Sequence, residues 1–235
     1  MQSKAVAEAL ILKPGAGALE SCLPPPRTKT EILMTRLDPL PPGLLGPCES
    51  ALGRIYEMVG YRPNALATMA RKSTALNTLL ALIGNVFREP GRLSSGFKFL
   101  IAYVASDAAN CPYSSCHAVH AAHHGGETDA RAEAITSWRD NALFSSRERA
   151  AFELAHAAGT LPTKVTNYHF EVLRMHYDEE EIAEIAMSIA LFGWFNRWNS
   201  MMATDLETDP YRYAVEHLGG HWTPGQHRVP PPASE

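Results

Sequence analysis

The sequence predicts an all-α protein, and three observations carry that expectation. From Glu49 onward, apolar residues recur at i, i+3, i+4 and i+7, the spacing that lines one face of a helix. Serine and proline at the starts of these segments, and glycine at their ends, supply helix start and stop signals. No stretch sustains the two-residue alternation of a half-buried strand bounded by hairpin turns.

Residues 1–47 carry Pro24-Pro25-Pro26, Pro39, Pro41-Pro42 and Pro47, a density that breaks helices, so they read as a Pro-rich N-terminal arm. Leu52, Ile55, Tyr56 and Val59 make the first helical stripe, and Gly60 stops it. After Pro63-Asn64, Ala65 to Phe87 keeps helical spacing until Pro90-Gly91. Ser94 to Ala109 reads as a buried helix, with Phe97, Leu100, Ile101 and Val104 on one stripe and small residues at close-packing positions. Asn110-Cys111-Pro112 interrupts it. Proline is welcome in a first turn, so a new helix is expected from Pro112 to His124, stopped by Gly125-Gly126. Further helices are expected from Thr128 to about Asn141, from Ser145 to Ala158 behind a Ser145-x-x-Glu148 capping box, from Val165 to Tyr177, and from Glu179 to about Glu207. The chain thus divides into an arm (1–47), a helical domain (48–218) and an irregular tail (219–235). A faint echo between Phe97–Asp107 and Arg149–Gly159 allows the domain to be two related half-domains.

With 235 residues, 46% of them hydrophobic, the chain can bury a substantial core without staples. A formal charge of −4 and scattered Lys and Arg leave no electrostatic footprint for nucleic acid. Cysteines at 22, 48, 111 and 116 do not form the dense framework of a small secreted domain, so a reducing, cytoplasmic compartment is expected. Ala9-Leu10-Ile11-Leu12 is too brief for a secretory apolar region. The run Ile182 to Phe195 is broken by Glu184, Ser188 and Gly193 and falls short of the ~20 residues of a membrane helix, so no membrane partner is expected.

Chemistry-bearing side chains crowd between Cys111 and His124. At about 100° per residue, His117, His120 and His124 share one face, and Cys116 and His120 form an i, i+4 pair. A thiol so placed can hand its proton to the imidazole or be held as thiolate, and Cys111, just before the first turn, gains most from the helix N–H groups. The plainer reading makes the cysteines small buried hydrophobes, His117 and His120 satisfied core groups, and His123 and His124 a solvated helix end. Tyr113 and Ser114 can donate to a substrate carbonyl or cap the helix. Asn196 and Arg197 follow an apolar run, where Arg197 would pair with Glu184 or bind a ligand carboxylate. No carboxylate lies within the cluster, and neither metal nor cofactor is expected.

The segment Leu93–Ser106, followed by Cys111-Pro112-Tyr113, resembles the signature of the alkylhydroperoxidase D-like and carboxymuconolactone decarboxylase superfamily, in which an Ala-rich helix leads into Cys-x-Tyr-Cys and one or two histidines. His117 and His120 fall where a subgroup with paired histidines has them. Residues 141–150, Asp178–Glu184, Leu191–Asn199 and Trp222–His227 are similar as well, so the resemblance covers residues 37–228. It implies an alkylhydroperoxidase D-like helical bundle, a homo-oligomer and a small-molecule substrate.

Two positions depart from the peroxidase pattern: the second Cys falls at Ser114, and the proton-relay carboxylate falls at Phe99. Serine cannot resolve a sulfenic acid, and residues five apart, such as Cys111 and Cys116, point about 140° from one another on a continuous helix. A register two residues later keeps Cys116-x-x-x-His120 but puts Tyr113 at the first Cys position. The leading expectation is therefore a carboxymuconolactone decarboxylase-like lyase or isomerase doing cofactor-free acid–base chemistry: decarboxylation, lactone cleavage or isomerisation of a small carbonyl or carboxylate compound. His117 or His120 would transfer the proton, and Cys111, Tyr113 and Ser114 would line the pocket. The alternatives are a thiol peroxidase using Cys111 and Cys116, and a non-catalytic helical assembly protein.

Overall fold

The computed structural model describes residues 35–88 and 91–231, apart from the side chain of Met58; most of the Pro-rich arm, with Cys22, lies outside the described residues. Among the described residues every regular element is helical. α1 (Glu49–Val59) ends at Gly60, which takes the left-handed conformation at φ 83, as its stop signal requires. The expected helix from Ala65 to Phe87 is broken into α2 (Asn64–Met69), a 3-10 turn and α3 (Ser73–Phe87). The break has a tertiary cause: Ala65 to Ala70 are all buried, and Arg71 is drawn aside to the Asp38 carbonyl oxygen at 2.6 Å.

α4 (Ser95–Ala108) is the central helix. The Ser94 hydroxyl caps it by accepting from the Phe97 N–H, and every residue from Gly96 to Ser106 is buried. A helix enclosed on all sides needs no polar face, and α5 (Pro112–His124), α7 (Ser146–Gly159) and α9 (Glu179–Met202) pack around it. Its buried Lys98 ends on Glu184 of α9 at 3.4 Å, and Glu184 also accepts from the Arg92 N–H at 2.8 Å and the Leu93 N–H at 3.3 Å. The partner foreseen for Arg197 is therefore taken. Asn110, at φ 56, makes the left-handed step between α4 and α5 that asparagine tolerates better than most residues.

α6 (Asp129–Ala134) gives way to a 3-10 turn well before Asn141, and α8 (Asn167–Arg174) is shorter than foreseen at both ends. The Ser145–Glu148 capping box forms, and Asp178 with Glu181 makes another at the start of α9. α9 ends at Met202 rather than near Glu207, because Ala203 turns left-handed at φ 48. Residues 204–207, without regular structure, then lead into α10 (Thr208–Leu218), a helix the sequence pattern did not disclose. Pro210 looks like a breaker but lies in the first turn, where its missing N–H has no intrahelical partner to lose. After Leu218 a 3-10 turn (Gly219–His221) leads into a packed tail, in which Trp222 and His227 are buried. Among the described residues no helix is long and apolar enough to cross a membrane.

The α4–α7 contact is close enough that a methyl at Gly159 would run into the carbonyl oxygen of Ala105. Gly159→Ala is expected to destabilise the protein by about 1–3 kcal/mol through overpacking. An unchanged urea midpoint in that variant would show that the two helices have room to part.

Candidate functional site

The step at Asn110 starts α5 with Pro112, and every residue from Tyr113 to Ala122 is buried. Within this turn the His117 Nε2 lies 2.6 Å from Glu207 Oε2, and its Nδ1 lies 2.6 Å from the Tyr113 carbonyl oxygen and 3.2 Å from Cys116 Sγ. A carbonyl oxygen only accepts, so Nδ1 carries a proton; Nε2 and Glu207 Oε2 share the next one, as imidazolium beside carboxylate or imidazole beside carboxylic acid. Tyr113 OH donates to Glu207 Oε1 at 2.8 Å and accepts from the Ala65 N–H at 3.3 Å, while Glu207 Oε1 also accepts from the Asn64 N–H. The Tyr113 and His117 rings stack with centroids 3.9 Å apart. Burial first, then the Glu207 charge, holds the Tyr61 and Tyr113 phenols well above their usual range, so both are neutral donors.

Ser114 does not cap α5. Its Oγ accepts from Cys111 Sγ at 3.3 Å and from Asn199 Nδ2 at 3.3 Å. Asn199 Oδ1 accepts from Thr204 Oγ1 at 2.9 Å, and the Thr204 carbonyl oxygen accepts from His227 Nδ1 at 2.8 Å. A cavity of about 80 Å³ opens beside this chain, with Tyr113, Ser114, His117 and Asn199 as its polar edge. Its walls are rings: Phe87 stacks on Phe99 at 4.2 Å, and Phe192 and Phe195 close the α9 side.

The cysteines stand just outside this cavity, and Cys111 meets it only through Ser114. Their thiols are not joined. Burial, then the Glu207 charge, pushes the Cys116 thiol well above its ordinary value, so it rests protonated and donates to the Tyr113 carbonyl oxygen at 3.2 Å. The expected partnership of Cys116 with His120 is replaced by one with His117, whose ring turns back toward the Tyr113 carbonyl and passes the sulfur. His120 packs against Tyr61, His124 and Tyr213 instead, and its Nδ1 has no partner. Burial, with the neighbouring His124, His117 and His123, lowers its pKa to about 3, so it is neutral at physiological pH. Of the two imidazoles, His117 is the one placed to trade a proton.

Asn196 is buried with its Oδ1 unpartnered, and Arg197 is exposed, donating weakly to the Gly193 carbonyl oxygen at 3.4 Å. Neither lines the cavity. The α9 face that does runs through Phe192, Phe195 and Asn199, spaced i, i+3 and i+7, which turns Arg197 to the opposite side and leaves Asn196 at the border of that face. Among the described residues no three His, Cys, Asp or Glu side chains gather so as to hold a metal ion. Glu207 is a candidate site residue with no counterpart among those expected from the sequence, because it falls at the end of what reads as a continuous helix; Thr204-Asp205 and Thr208-Asp209-Pro210 are the break signals around it.

The carboxymuconolactone decarboxylase family model matches residues 74–157. The uncharacterized protein YnjA of Escherichia coli (strain K12) is 36% identical over 69 residues, 29% of this chain and only 38% of that protein's length. The debrominase Bmp8 aligns over its whole length (100%) with 80% of this chain, at 26% identity and a TM-score of 0.74. A cysteine-to-alanine form of Bmp8 in complex with 2,3,4-tribromopyrrole matches at 27% identity and a TM-score of 0.73, over 78% of this chain and 97% of that one. An uncharacterized peroxidase-related protein from Ralstonia eutropha JMP134 with an alkylhydroperoxidase AhpD core shares the fold, at 19% identity and a TM-score of 0.64 over 77% of this chain and 97% of that one.

The lowered His120 value has a consequence for stability. The native state refuses a proton that the unfolded chain accepts, so stability is lost as pH falls from 6.5 toward 3. Between pH 6.5 and 5 the wild type is expected to lose about 2 kcal/mol more than His120→Gln, at about 1.4 kcal/mol per pH unit. Urea midpoints that fall in parallel for the two proteins would mean that His120 protonates freely in the fold.

Proposed function

We propose that the α5 cavity is the active site of an enzyme of the alkylhydroperoxidase D-like and carboxymuconolactone decarboxylase superfamily, one that moves protons on a small, planar, neutral substrate. The observation that carries this reading is the 2.6 Å contact between His117 Nε2 and Glu207 Oε2, buried behind the polar edge of an otherwise apolar cavity. The pair stores one proton beyond the one bound to the Tyr113 carbonyl. The Tyr113 hydroxyl, bonded to Glu207 and lining the cavity, turns its own proton to the substrate and is reprotonated from the pair, which takes a proton back as product forms. Ser114 Oγ already accepts two hydrogen bonds, which leaves its own proton for a substrate oxygen or ring heteroatom, and Asn199 has a second amide N–H for the same atom.

Among the described residues no Lys or Arg lines the cavity, so no permanently charged cation there would neutralise a substrate carboxylate. That favours isomerisation or lactone opening over decarboxylation. The ring walls suit a flat molecule, and the tribromopyrrole held by the Bmp8 variant belongs to this class. The homo-oligomer implied by the family resemblance belongs with the proposal: Met187, Trp194 and Met201 recur every seven residues along α9 and are 54%, 56% and 57% exposed. A monomeric mass by light scattering would remove it.

A second reading, thiol chemistry on a peroxide or a carbon–halogen bond, is favoured by Cys116 Sγ lying 3.2 Å from His117 Nδ1 and by the likeness to a debrominase. The two readings separate in one set of assays. Solvent deuterium should enter small cyclic ketones, lactones or pyrroles, as read by NMR. His117→Asn and Tyr113→Phe should slow that entry by roughly 10²–10⁴-fold, the range of general acid–base catalysis, and Cys116→Ala should leave it largely intact. Absence of deuterium entry, together with hydroperoxide or tribromopyrrole turnover that Cys116→Ala abolishes, would replace the first reading with the second.

A further inference from the structure

We propose that Glu207 is the proton port of this site, the group through which the buried His117 exchanges protons with the water of the outer groove; the functional importance of that exchange rests on the proton-transfer reading above. The carboxylate has two faces. Inward it holds Tyr113 OH and His117 Nε2. Outward it lines an open groove of about 790 Å³ whose rim includes Pro39, Asn64, Asp205 and Arg228. The side chain is 10% exposed, and that exposure is its contact with the groove.

Among the described residues, the other faces of His117 give a poorer path. Its side chain is 9% exposed, and its Nδ1 is committed to the Tyr113 carbonyl oxygen beside Cys116 Sγ. On the cavity side, where Tyr113 and Ser114 share the edge with it, the facing walls are mostly aromatic and aliphatic side chains that carry no proton. Of the titratable groups around Glu207, Tyr61, Tyr113 and Cys116 are held protonated by burial, and His227 from the tail is held neutral by burial. Asp205 is tied to Arg228, and Asp209 begins the next helix on the solvent side. A proton leaving Nε2 therefore meets Glu207 Oε2 first and the groove second.

The segment carrying Glu207 is fixed from both sides, which keeps the carboxylate between the two spaces. The Leu206 N–H donates to the Arg228 carbonyl oxygen at 2.9 Å and His227 Nδ1 to the Thr204 carbonyl oxygen at 2.8 Å. From α2, Asn64 Nδ2 donates to the Asp205 carbonyl oxygen at 2.9 Å.

The test needs no substrate. In full-length protein labelled with ¹⁵N-histidine, the exchange rate of the His117 imidazole N–H with water is read by NMR, the signal being assigned by its loss in His117→Asn. Glu207→Gln keeps the shape and most hydrogen bonds but cannot carry the proton, and exchange is expected to slow about 10²-fold. In Glu207→Ala, added formate should enter from the groove and restore exchange in proportion to its concentration, which a purely structural role for Glu207 would not produce. An unchanged rate in Glu207→Gln, or a Glu207→Ala protein that is folded by its amide spectrum and indifferent to formate, would overturn the port. Failure to find deuterium entry into any small molecule would instead sink the proposed activity and leave the port standing.

Discussion

A carboxylate facing an imidazole inside a protein is costly to assemble unless every oxygen and nitrogen of the pair is bonded, and the surroundings of Glu207 are organised by that requirement. The two oxygens take a phenol, an imidazole and a backbone N–H. Those donors come from α2 and α5, while the tail beyond Leu218 clamps the segment between α9 and α10. Removing any one leaves a buried acceptor short of a donor, at about 1–3 kcal/mol or more for a charged group. The interaction thus explains why the irregular tail is packed and why α9 stops where it does.

The left-handed turn at Ala203 is part of the same constraint. Such a conformation costs an alanine about 1–2 kcal/mol, and the hydrogen bonds made by residues 204–207 offset it. A continuous α9 would carry Glu207 past α5, with no route back to His117. The enclosed α4 plays the complementary part, providing an apolar floor in which Phe99 stacks on Phe87 and leaves no polar group to compete with the edge of the cavity.

Much of this was legible in the residues. Helical spacing, the Ser94 and Ser145 caps and the break at Asn110-Cys111-Pro112 are local signals, and the structure follows them closely. The crowding of Tyr113, Ser114 and His117 on one turn was also local, and all three meet the cavity. What was not legible depends on partners remote in the chain. Glu207 is 90 residues from His117, and no periodicity links the two. The separation of His117 from His120 arises because one ring meets a distant carboxylate and the other meets only rings. Arg197 is set outside the cavity by the phase of a helix, since a few residues' rotation decides which side chains see it. The resemblance places a carboxylate at the position of Phe99, and the fold supplies one from the opposite direction, after α9.

The groups around the imidazole are scattered over residues 64, 113, 207 and 227. Such long-range closure can form only late in folding, after most of the chain has left the ribosome. Cys111 and Cys116 lie at the start of α5, which emerges far earlier than α9 and α10, two of the helices packed against it. During synthesis, then, both sulfurs pass through an interval of exposure that the finished protein no longer shows, and oxidative damage would be concentrated on nascent molecules rather than mature ones.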